Sequence, residues 1–383
     1  MADKLAKGIQ MTLMMGPIIP VPAPRVVMDA LTGVEVRTSD GAASGFQLTF
    51  QFNSKSELNT IFLIAAGNTA SIGTPPLRVL LIVTLNGTPQ PLFDGVMTNV
   101  EVQAGNRGSP GTVTVTGEDL TKVMDMQDFS GLPFPAMPIE ARVALLCAKY
   151  AAFGIIPLPI PILFPDVPIP IDKIPAQKGT DLAYIRELAD DVGYVFYIEP
   201  GPAPGTNIAY FGPEIKLGVP QPALNVDMDA LTNVESLSFS FDPTKGVLPI
   251  VFIQNQLTRV PIPIPIPNLN PLQPPLGVLP TPISNLKILK DTAKLNPMQA
   301  ILRGLSEAKK SQDSVSAKGS LDVLRYGRVL KARGLVGVRG VGVAYDGLYY
   351  VQSVTSTLKR GEFKQSFNLT RNGLISITPR VPV

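Results

Sequence analysis

An eight-residue sequence that occurs twice constrains the fold of this chain more than any other feature. Met28–Glu35 reads Met-Asp-Ala-Leu-Thr-Gly-Val-Glu, and Met228–Glu235 repeats seven of these eight residues. Each octamer leads into two alternating apolar and polar segments around a turn, which predicts a β-hairpin. The four predicted strands are Val34–Arg37, Phe46–Phe52, Ser236–Phe241 and Val247–Ile253. We interpret the two copies as a duplicated β-domain.

Further β-rich segments follow the hairpin in both copies. They are Val79–Leu85, Gly95–Val102 and Thr112–Thr116 in the first copy, and Arg328–Arg333, Tyr349–Leu358 and Phe363–Thr370 in the second. They are rich in β-branched and aromatic residues and are separated by turn-forming residues. Alternation in the last segment predicts one buried and one solvated face. Each copy is therefore predicted to be a small antiparallel barrel or sandwich.

Between the two copies, apolar residues recur at helical spacing. One predicted helix ends at Gly154, and its apolar face consists of Ile139, Val143, Leu146, Tyr150 and Phe153. A second predicted helix spans 180–192 and stops at Gly193. Two predicted strands follow, Tyr194–Glu199 and Asn207–Phe211. The middle of the chain is thus predicted to be a small α/β domain.

These patterns predict a mainly β protein with an α/β insert. A chain of 383 residues exceeds what one hydrophobic core usually serves. A third helix is predicted to begin at Asn296 and Pro297, since a cap residue followed by proline is typical of a helix start. The predicted parts are an N-terminal arm 1–25, a first β-barrel 26–130, an α/β domain 131–225 with a Pro/Ile segment 155–175, and a second β-barrel 226–383 with a Pro/Ile insertion 256–284.

The Pro/Ile insertion has an unusual distribution of hydrogen-bond donors. Proline occupies every second position from Pro261 to Pro267 and removes the donors from one edge of an extended chain. Ile262, Ile264 and Ile266 keep their donors on the other edge. Such a segment pairs on one side only or forms polyproline II. Two roles stay open: a cover for a sheet edge, or a docking arm for a partner that binds these three isoleucines.

Composition argues against catalysis, metal binding and nucleic-acid binding. The chain has no histidine, the commonest general base and metal ligand, so we expect no enzyme, no metal and no cofactor. The 33 basic and 30 acidic residues are scattered, so no nucleic-acid partner is expected. The one cysteine, Cys147, lies in an apolar helical pattern and fits assembly in a reducing cytoplasm.

Three features of the sequence bear on rival functions. Asp190 and Asp191 are neighbours on a predicted helix and diverge by about 100°, which is unsuited to paired-carboxylate catalysis. Gly334–Gly342 lacks the Lys-Ser/Thr ending of a phosphate loop and predicts a strand and hairpin instead. Prolines interrupt the apolar segment 155–175, so no stable membrane insertion is expected, although surface binding through the Pro/Ile arms stays an alternative.

Three stretches carry a resemblance to a known family. They are Gly179–Ile198, a helix followed by a Gly-aromatic-x-aromatic strand; Gly347–Leu358 with Phe363–Asn372, a closing hairpin; and Leu92–Val96 with Val113–Leu120, two strands. In this order they resemble the phage late-control D and baseplate tail-hub family, which includes the hub portion of VgrG-like spikes. A histidine common near that family's closing hairpin is absent here, and the Pro/Ile segments match nothing in the family.

The resemblance implies a structural role in a contractile phage tail or injection system. It implies two tube-like barrels per chain and a homotrimeric ring with pseudo-six-fold symmetry. Such a baseplate hub adapts a hexameric inner tube to a trimeric spike. The chain ends at Val383, soon after the predicted second barrel, so a separate spike protein is expected as a partner, beside the inner tube ring and other baseplate proteins. Assembly in the bacterial cytoplasm into a phage-tail-like particle is expected.

Overall fold

The computed structural model describes most of the chain and is rich in strands. The described residues are 8–52, 62, 75–105, 110–162, 174–254, 260–267, 274–290, 297–310 and 313–378. The strands before the second octamer are β1 Ile9–Gly16, β2 Val21–Pro22, β3 Leu31–Ser39, β4 Gly45–Phe52, β5 Arg78–Leu85, β6 Thr88–Gln103, β7 Gly111–Asp119, β8 Ile155–Pro159, β9 Val195–Pro200, β10 Asn207–Gly212 and β11 Gln221–Asn225.

The remaining strands and the helices complete the described elements. The strands are β12 Val234–Phe241, β13 Gly246–Gln254, β14 Pro261–Pro265, β15 Gly277–Pro280, β16 Ile283–Ile288, β17 Val315–Asp322, β18 Leu335–Arg339, β19 Gly347–Lys359, β20 Glu362–Arg371 and β21 Gly373–Ser376. The helices are α1 Arg25–Ala30, α2 Thr121–Met124, α3 Ile139–Ala148, α4 Asp181–Val192, α5 Pro297–Lys310 and α6 Val323–Tyr326.

One large sheet contains two groups of strands with the same order. Its path is β12-β17-β20-β19-β3-β4-β7-β6-β5-β1-β2, and β18 and β11 extend it from β19. We define the first repeat as β1 and β3 to β7, and the second repeat as β11, β12 and β17 to β20. If the six strands of each repeat are numbered in chain order, both repeats have the order 2-3-6-5-4-1. This agreement supports the predicted duplication.

The two repeats also share their irregularities. The pairing of β3 with β4 shifts between Leu31 and Gly33, and the pairing of β12 with β17 shifts at the corresponding place, between Val234 and Ser236. A second matching pair of shifts interrupts β6 after Met97 and β19 after Val351. β-Bulges are retained features of a fold, and their coincidence is a second sign of common origin. One difference is that β1 runs antiparallel to β5, whereas β11 runs parallel to β18.

The octamers themselves are offset by three residues in the structure. Leu31 is the buried first residue of β3, and its partner in register is Phe50. The equivalent position in β12 is Val234, paired with Leu321. Leu231, the sequence match of Leu31, is 62% exposed in a short 3₁₀ turn before the strand. The duplication is therefore visible in the order of the strands. The two octamers, however, begin at different distances before their strands, Met28 before Leu31 and Met228 before Val234.

Three predictions about the β-domains need correction. Neither repeat forms a closed barrel among the described residues, because β1 pairs with β5 and β2 and not with β3. The second predicted hairpin is wrong, since β12 pairs with β17 and the chain leaves for another sheet at β13. The predicted strand Arg328–Arg333 is irregular: the side chain of Gln365 binds both backbone groups of Leu330, and Arg333 has a φ of 61°. β18 forms the strand there, within the predicted Gly334–Gly342 hairpin.

The two repeats share one hydrophobic core. Inward side chains from both repeats form a single contiguous cluster, which includes Phe50, Val83, Val115, Val336 and Phe367. In addition, β1 lies within the predicted arm 1–25 and β11 within the predicted middle domain, yet each pairs with a repeat. The sheet is therefore larger than the segments from which the sequence predicted it.

The α/β character of the middle is present in the structure. The strands β8, β10 and β9 form a three-stranded sheet whose core includes side chains of α3 and α4. The hydroxyl of Thr180 caps α4 by accepting a hydrogen bond from the Ala183 amide at 3.2 Å. Gly193 ends this helix with a φ of 72°, in the left-handed region that favours glycine. Gly154 has the same φ and follows the 3₁₀ turn after α3.

A small module is inserted between β12 and β17 of the second repeat. Its strands have the order β14-β13-β16, and α5 packs on the sheet through Val251, Ile266 and Ala300. The strand β14 holds Pro261, Pro263 and Pro265 and, among the described residues, pairs with β13 alone. Of the two forms predicted for this segment, one-sided pairing and polyproline II, the structure has the one-sided pairing. The predicted helix cap at Asn296 and part of the first Pro/Ile segment, residues 163–173, lie outside the described residues.

Candidate assembly interface

The two repeats of one chain are joined by a seam between β3 and β19. These strands pair antiparallel over seven residue pairs, from Ser353 with Ser39 to Lys359 with Gly33. On the core side, Val34 faces Leu358 and Val36 faces Ser356 across the seam. All four of these core-side residues are buried. The seam thus continues both the hydrogen-bonded sheet and the apolar core from one repeat into the next.

The same two strand positions are open at the outer ends of the molecule. The strand β6 is the counterpart of β19, and from Thr98 to Gln103 it pairs with β7 alone among the described residues. The strand β12 is the counterpart of β3 and pairs with β17 alone within the same limits. Unpaired strand edges are templates for another chain unless they are short, charged or covered. The open edge is six residues long in β6 and eight in β12, and both edges present apolar side chains.

Core-side residues at the open edges are partly exposed. Val102 on β6 is 38% exposed, and Phe241 on β12 is 37% exposed. Their neighbours Val100 and Phe239 are half-buried and pack against the common core. In the corresponding positions at the seam, Val354, Ser356 and Val36 are buried and Thr38 is partly buried. The open edges therefore have the side-chain character of an interface that lacks its partner strand.

The opposite face of the sheet is polar. Its side chains come from alternate positions of the repeat strands and are mostly hydroxyls and amides. They include Gln47, Thr49, Thr114, Thr116, Ser236, Ser238, Thr355, Thr357, Ser366 and Asn368. Acidic and basic residues are mixed on this face, and Lys364 forms ion pairs with Glu235 at 2.9 Å and Glu362 at 3.2 Å. Among the described residues of this face, no large block of one charge is present.

A buried ion pair joins the first repeat to the middle domain. Arg78 on β5 binds Asp94 on β6 through two hydrogen bonds, Nε to Oδ1 at 2.8 Å and Nη2 to Oδ2 at 2.6 Å. The side chains of this pair are almost fully buried. Arg78 also donates to the carbonyls of Ile18 and Gly205, and Asn207 donates to Asp94 at 2.8 Å. This network fixes the N-terminal segment, the first repeat and the middle domain to one another.

A second cluster fixes three parts of the chain. Arg333 of the second repeat donates to the carbonyl of Ser39 at 2.6 Å and lies over the ring of Tyr197 from the middle domain at 4.0 Å. Tyr350 donates to Asp40 at 3.1 Å. Burial is the main cause that raises the pKa of the Tyr350 hydroxyl, which therefore stays protonated and donates. The turn after β3 is thus held rigid next to the seam.

The buried carboxylate of Asp181 in the middle domain has hydrogen-bond partners on neighbouring elements. Asp181, in the first turn of α4, accepts hydrogen bonds from Lys149 at 3.1 Å, Tyr150 at 2.8 Å and Gln177 at 2.6 Å. Cys147 is fully buried near it, and burial, with a smaller effect of the Asp181 charge, raises the pKa of the thiol to about 12. A thiol of this kind is a poor nucleophile at neutral pH. These groups tie α3 to α4.

The paired carboxylates, metal sites and membrane spans considered from the sequence can also be checked against the structure. Asp190 and Asp191 are both exposed at the end of α4. Within the described ranges, no group of three or more acidic or cysteine side chains is arranged to hold a metal ion. The helices in those ranges also include none with the length and apolarity needed to cross a membrane.

The three isoleucines of the predicted docking arm differ in exposure. Ile266 is 5% exposed and packs under α5, and Ile264 is partly buried against the same core. Ile262 is 47% exposed. Only Ile262 is therefore substantially available to a partner in the single chain, and the docking role stays a prediction.

Sequence reasoning did not identify the edge residues Val100, Val102, Phe239 and Phe241. All four fall in segments that were predicted as strands, but alternation of apolar residues does not distinguish an edge strand from a central one. The duplication was the available signal, since a repeat that pairs with its neighbour leaves one unmatched edge at each end.

Solved structures with the same fold come from phage-type tails and a VgrG complex. No protein-family model matches this chain, and no curated protein matches its sequence. It is similar to the tail protein from Neisseria meningitidis MC58, with a TM-score of 0.60, 12% identity, and coverage of 96% of this chain and 98% of that one. It is also similar to the 43 kDa tail protein of prophage MuSo2 from Shewanella oneidensis. The TM-score is 0.58 at 14% identity, and the match covers 94% of this chain and 98% of that one.

A third similar structure is a chain of the lidded Francisella PdpA-VgrG complex. The TM-score is 0.58 at 8% identity, and the match covers 100% of this chain and 55% of that one. The resemblance in sequence to phage tail proteins and VgrG-like proteins is confirmed at the level of the fold, although the closed barrels that it implied are not present among the described residues. This chain has the fold that these tail proteins share with a chain of the PdpA-VgrG complex.

Proposed function

We propose that this protein is a non-enzymatic baseplate hub of a contractile phage tail or injection system, a homotrimer that adapts a hexameric inner tube to a separate trimeric spike. The observation that carries the proposal is the seam between β3 and β19. One chain contains two equivalent repeats joined edge to edge, and in the part of the chain that the structure describes the matching edges are open at both ends. A head-to-tail contact that repeats this seam generates a closed ring if the rotation closes.

The duplication supplies the change of symmetry. Three chains with two repeats each provide six similar positions, which suits a six-fold tube ring on one side. The middle domain and the inserted β13–β16 module occur once per chain and obey three-fold symmetry only, which suits a trimeric spike on the other. The number three comes from the family resemblance, and the fold shared with tail proteins and a VgrG-containing complex supports it.

The polar face of the sheet is the proposed wall of the axial channel. Side chains such as Thr114, Thr355 and Ser366 are short and uncharged, and the charged residues between them are of both signs. A wall of this kind gives weak, unspecific contacts to a passing polymer, because it offers neither an apolar patch nor a one-sided field. A polymer could therefore pass along the proposed channel without being retained by its wall, as expected for a hub.

The experiment for the proposed function is a measurement of mass and symmetry. The purified protein is expected to have three times the 40.9 kDa chain mass in mass photometry, and averaged particle images are expected to have six similar lobes around a central channel with true three-fold order. Addition of the tube protein should cap one face of the ring. A protein that stays a single chain at micromolar concentration, or a ring with another number of chains, contradicts the proposal.

The alternative, a surface-binding tail component that uses its Pro/Ile arms, is separable by the same preparation. The apolar residues Ile283, Leu286 and Ile288 on the edge strand β16 are all more than 60% exposed, and this favours a contact of some kind at the inserted module. Flotation with anionic and neutral liposomes distinguishes a lipid surface from a baseplate partner. Flotation of the assembled ring with either liposome favours the alternative.

The arm residues allow a controlled prediction. Ile262→Ser is expected to leave the free energy of unfolding nearly unchanged, because this side chain is half exposed, and to weaken capture of baseplate proteins from a particle lysate. Ile266→Ser is the matched control and should lower the free energy of unfolding by about 2–4 kcal/mol through loss of its packing under α5. Urea denaturation measures the free energy of unfolding of both variants. Unimpaired particle assembly by Ile262→Ser would reduce the arm to a passive edge cover.

A further inference from the structure

The duplicated register predicts how neighbouring chains pair. In the second repeat, Val354 on β19 faces Phe367 on β20; in the first repeat the corresponding pair is Val100 on β6 and Val115 on β7. Both pairs lie the same number of residues after the matching bulge. Each residue of β19 therefore has one defined counterpart on β6.

The other side of the seam can be aligned in the same way. Val36 on β3 faces Phe46 on β4, and the counterpart in the second repeat is Phe239 on β12 facing Ala317 on β17. Two residues further along each strand, Thr38 corresponds to Phe241. The alignment passes through the matching bulges at the start of β3 and β12.

We propose that β6 of one chain pairs antiparallel with β12 of the next chain in the register of the internal seam, with Val100 opposite Phe241 and Val102 opposite Phe239. This inference rests on the proposed ring and specifies its interface. It transfers two pairs of the internal seam, Val354 with Thr38 and Ser356 with Val36, to the open edges.

The chemistry of the two edges agrees with this register. The transferred pairs bring apolar residues together on the core side, including the half-exposed Val102 and Phe241. On the polar face the same transfer places Glu101 opposite Ser240 and Gln103 opposite Ser238. A slip by one residue would place valines opposite serines and move apolar side chains to the wet face, at a cost at every position. A second copy of this chain thus fits the edge in one register.

The inference is testable by disulfide trapping. Cysteines at directly opposed positions of antiparallel strands have Cβ atoms about 4.5–5.5 Å apart, within reach of a disulfide after small adjustment, whereas diagonal positions are about 7–8 Å apart. The variant Val100→Cys/Phe241→Cys is in register. The matched control Val102→Cys/Phe241→Cys keeps one of these substitutions and is displaced by two residues. The native Cys147 is fully buried and does not compete.

On mild oxidation, the in-register variant is expected to give covalent dimers and trimers on a denaturing gel, with at least tenfold more product than the displaced control. A second in-register variant, Glu101→Cys/Ser240→Cys, uses two exposed positions and guards against misfolding of the first. Cross-links within one chain are not expected, because β17, β20, β19, β3, β4 and β7 lie between β12 and β6 in the sheet.

The outcomes separate the interface from the function. A protein of trimeric mass that gives equal or greater cross-linking in the displaced control, or none in both in-register variants, overturns the proposed register and leaves the hub in place. A protein that remains a single chain by mass defeats the hub and the interface together. Trimers cross-linked in both in-register variants support the interface.

Discussion

Asp94→Ala is expected to lower the free energy of unfolding by about 3–5 kcal/mol, because it leaves the guanidinium of Arg78 buried without its carboxylate. Asp94 accepts two hydrogen bonds from Arg78 and one from Asn207 in an almost fully buried position. The measurement is urea denaturation followed by tryptophan-independent signals such as far-ultraviolet circular dichroism, since the chain has no tryptophan. A second expected effect is looser docking of the middle domain, detectable as faster amide exchange in β10.

Two controls distinguish this ion pair from an ordinary one. Glu187→Ala removes the partner of Lys178 in a largely exposed pair at 2.8 Å, and its effect should be below about 1 kcal/mol. The double variant Arg78→Leu/Asp94→Leu removes both buried charges and should recover part of the loss. If Asp94→Ala costs no more than Glu187→Ala, the network does not hold the domains together.

The local elements of the middle domain were predictable from the sequence. The helix α4 begins after the cap Thr180 and ends at Gly193, as its pattern of apolar residues and its terminal residues indicated. The strands β9 and β10 also lie within one residue of the predicted bounds. These signals are local, so that a few residues of sequence contain both the element and its ends.

The pairing of the strands was less accessible. The sequence predicted a hairpin at Asp242–Gly246, because the turn residues there are suited to one. The chain instead leaves the sheet after β12 and returns at β17, and about seventy residues of inserted module lie between the two paired strands. A turn signal reports local backbone conformation and contains no information about an insertion that begins at that turn.

The candidate interface was out of reach for a different reason. Val102 and Val115 have the same character in the sequence, yet one is 38% exposed and the other is buried. The difference depends on whether a strand occupies the next position in the sheet, and that is a property of the whole topology. The internal seam allows the open edge to be recognised, because in the seam a partner strand occupies the position that is open on β6 and β12.

Duplication followed by edge-to-edge pairing also predicts a difference between the internal seam and the proposed contact between chains. The internal seam joins two repeats of one chain, so their pairing costs no loss of translational freedom. The proposed contact between chains would have to overcome that cost from the pairing itself. The open edge has Phe239 and Phe241 where the internal seam has Val36 and Thr38, and these larger residues offer more apolar area to a contact that lacks the covalent link.

Val102→Asp is expected to abolish the trimer and leave the single chain folded. The proposed contact places this position opposite Phe239 of the next chain, so the carboxylate would be buried without a partner. A penalty of about 3 kcal/mol at each contact weakens each by more than a hundredfold. In the single chain the side chain is 38% exposed, so the charge stays in water and circular dichroism should be unchanged. Mass photometry over a range of concentrations measures the loss.

Two substitutions at other valines control for this effect. Val219→Asp adds the same charge at a 94% exposed position that belongs to neither β6 nor β12 and should leave the trimer intact. Val36→Asp adds it within the internal seam, at the counterpart of Phe239, and should unfold the single chain because that seam is already closed. Val36 pairs with Ser356, the counterpart of Val102, so the two aspartates lie on opposite strands of the same contact. Unfolding by Val36→Asp and loss of the trimer alone by Val102→Asp are the signature of an edge that is filled in one repeat and open in the other. A trimer that survives Val102→Asp unchanged would mean that the chains meet elsewhere, because a strand edge cannot bury an unpaired carboxylate at no cost.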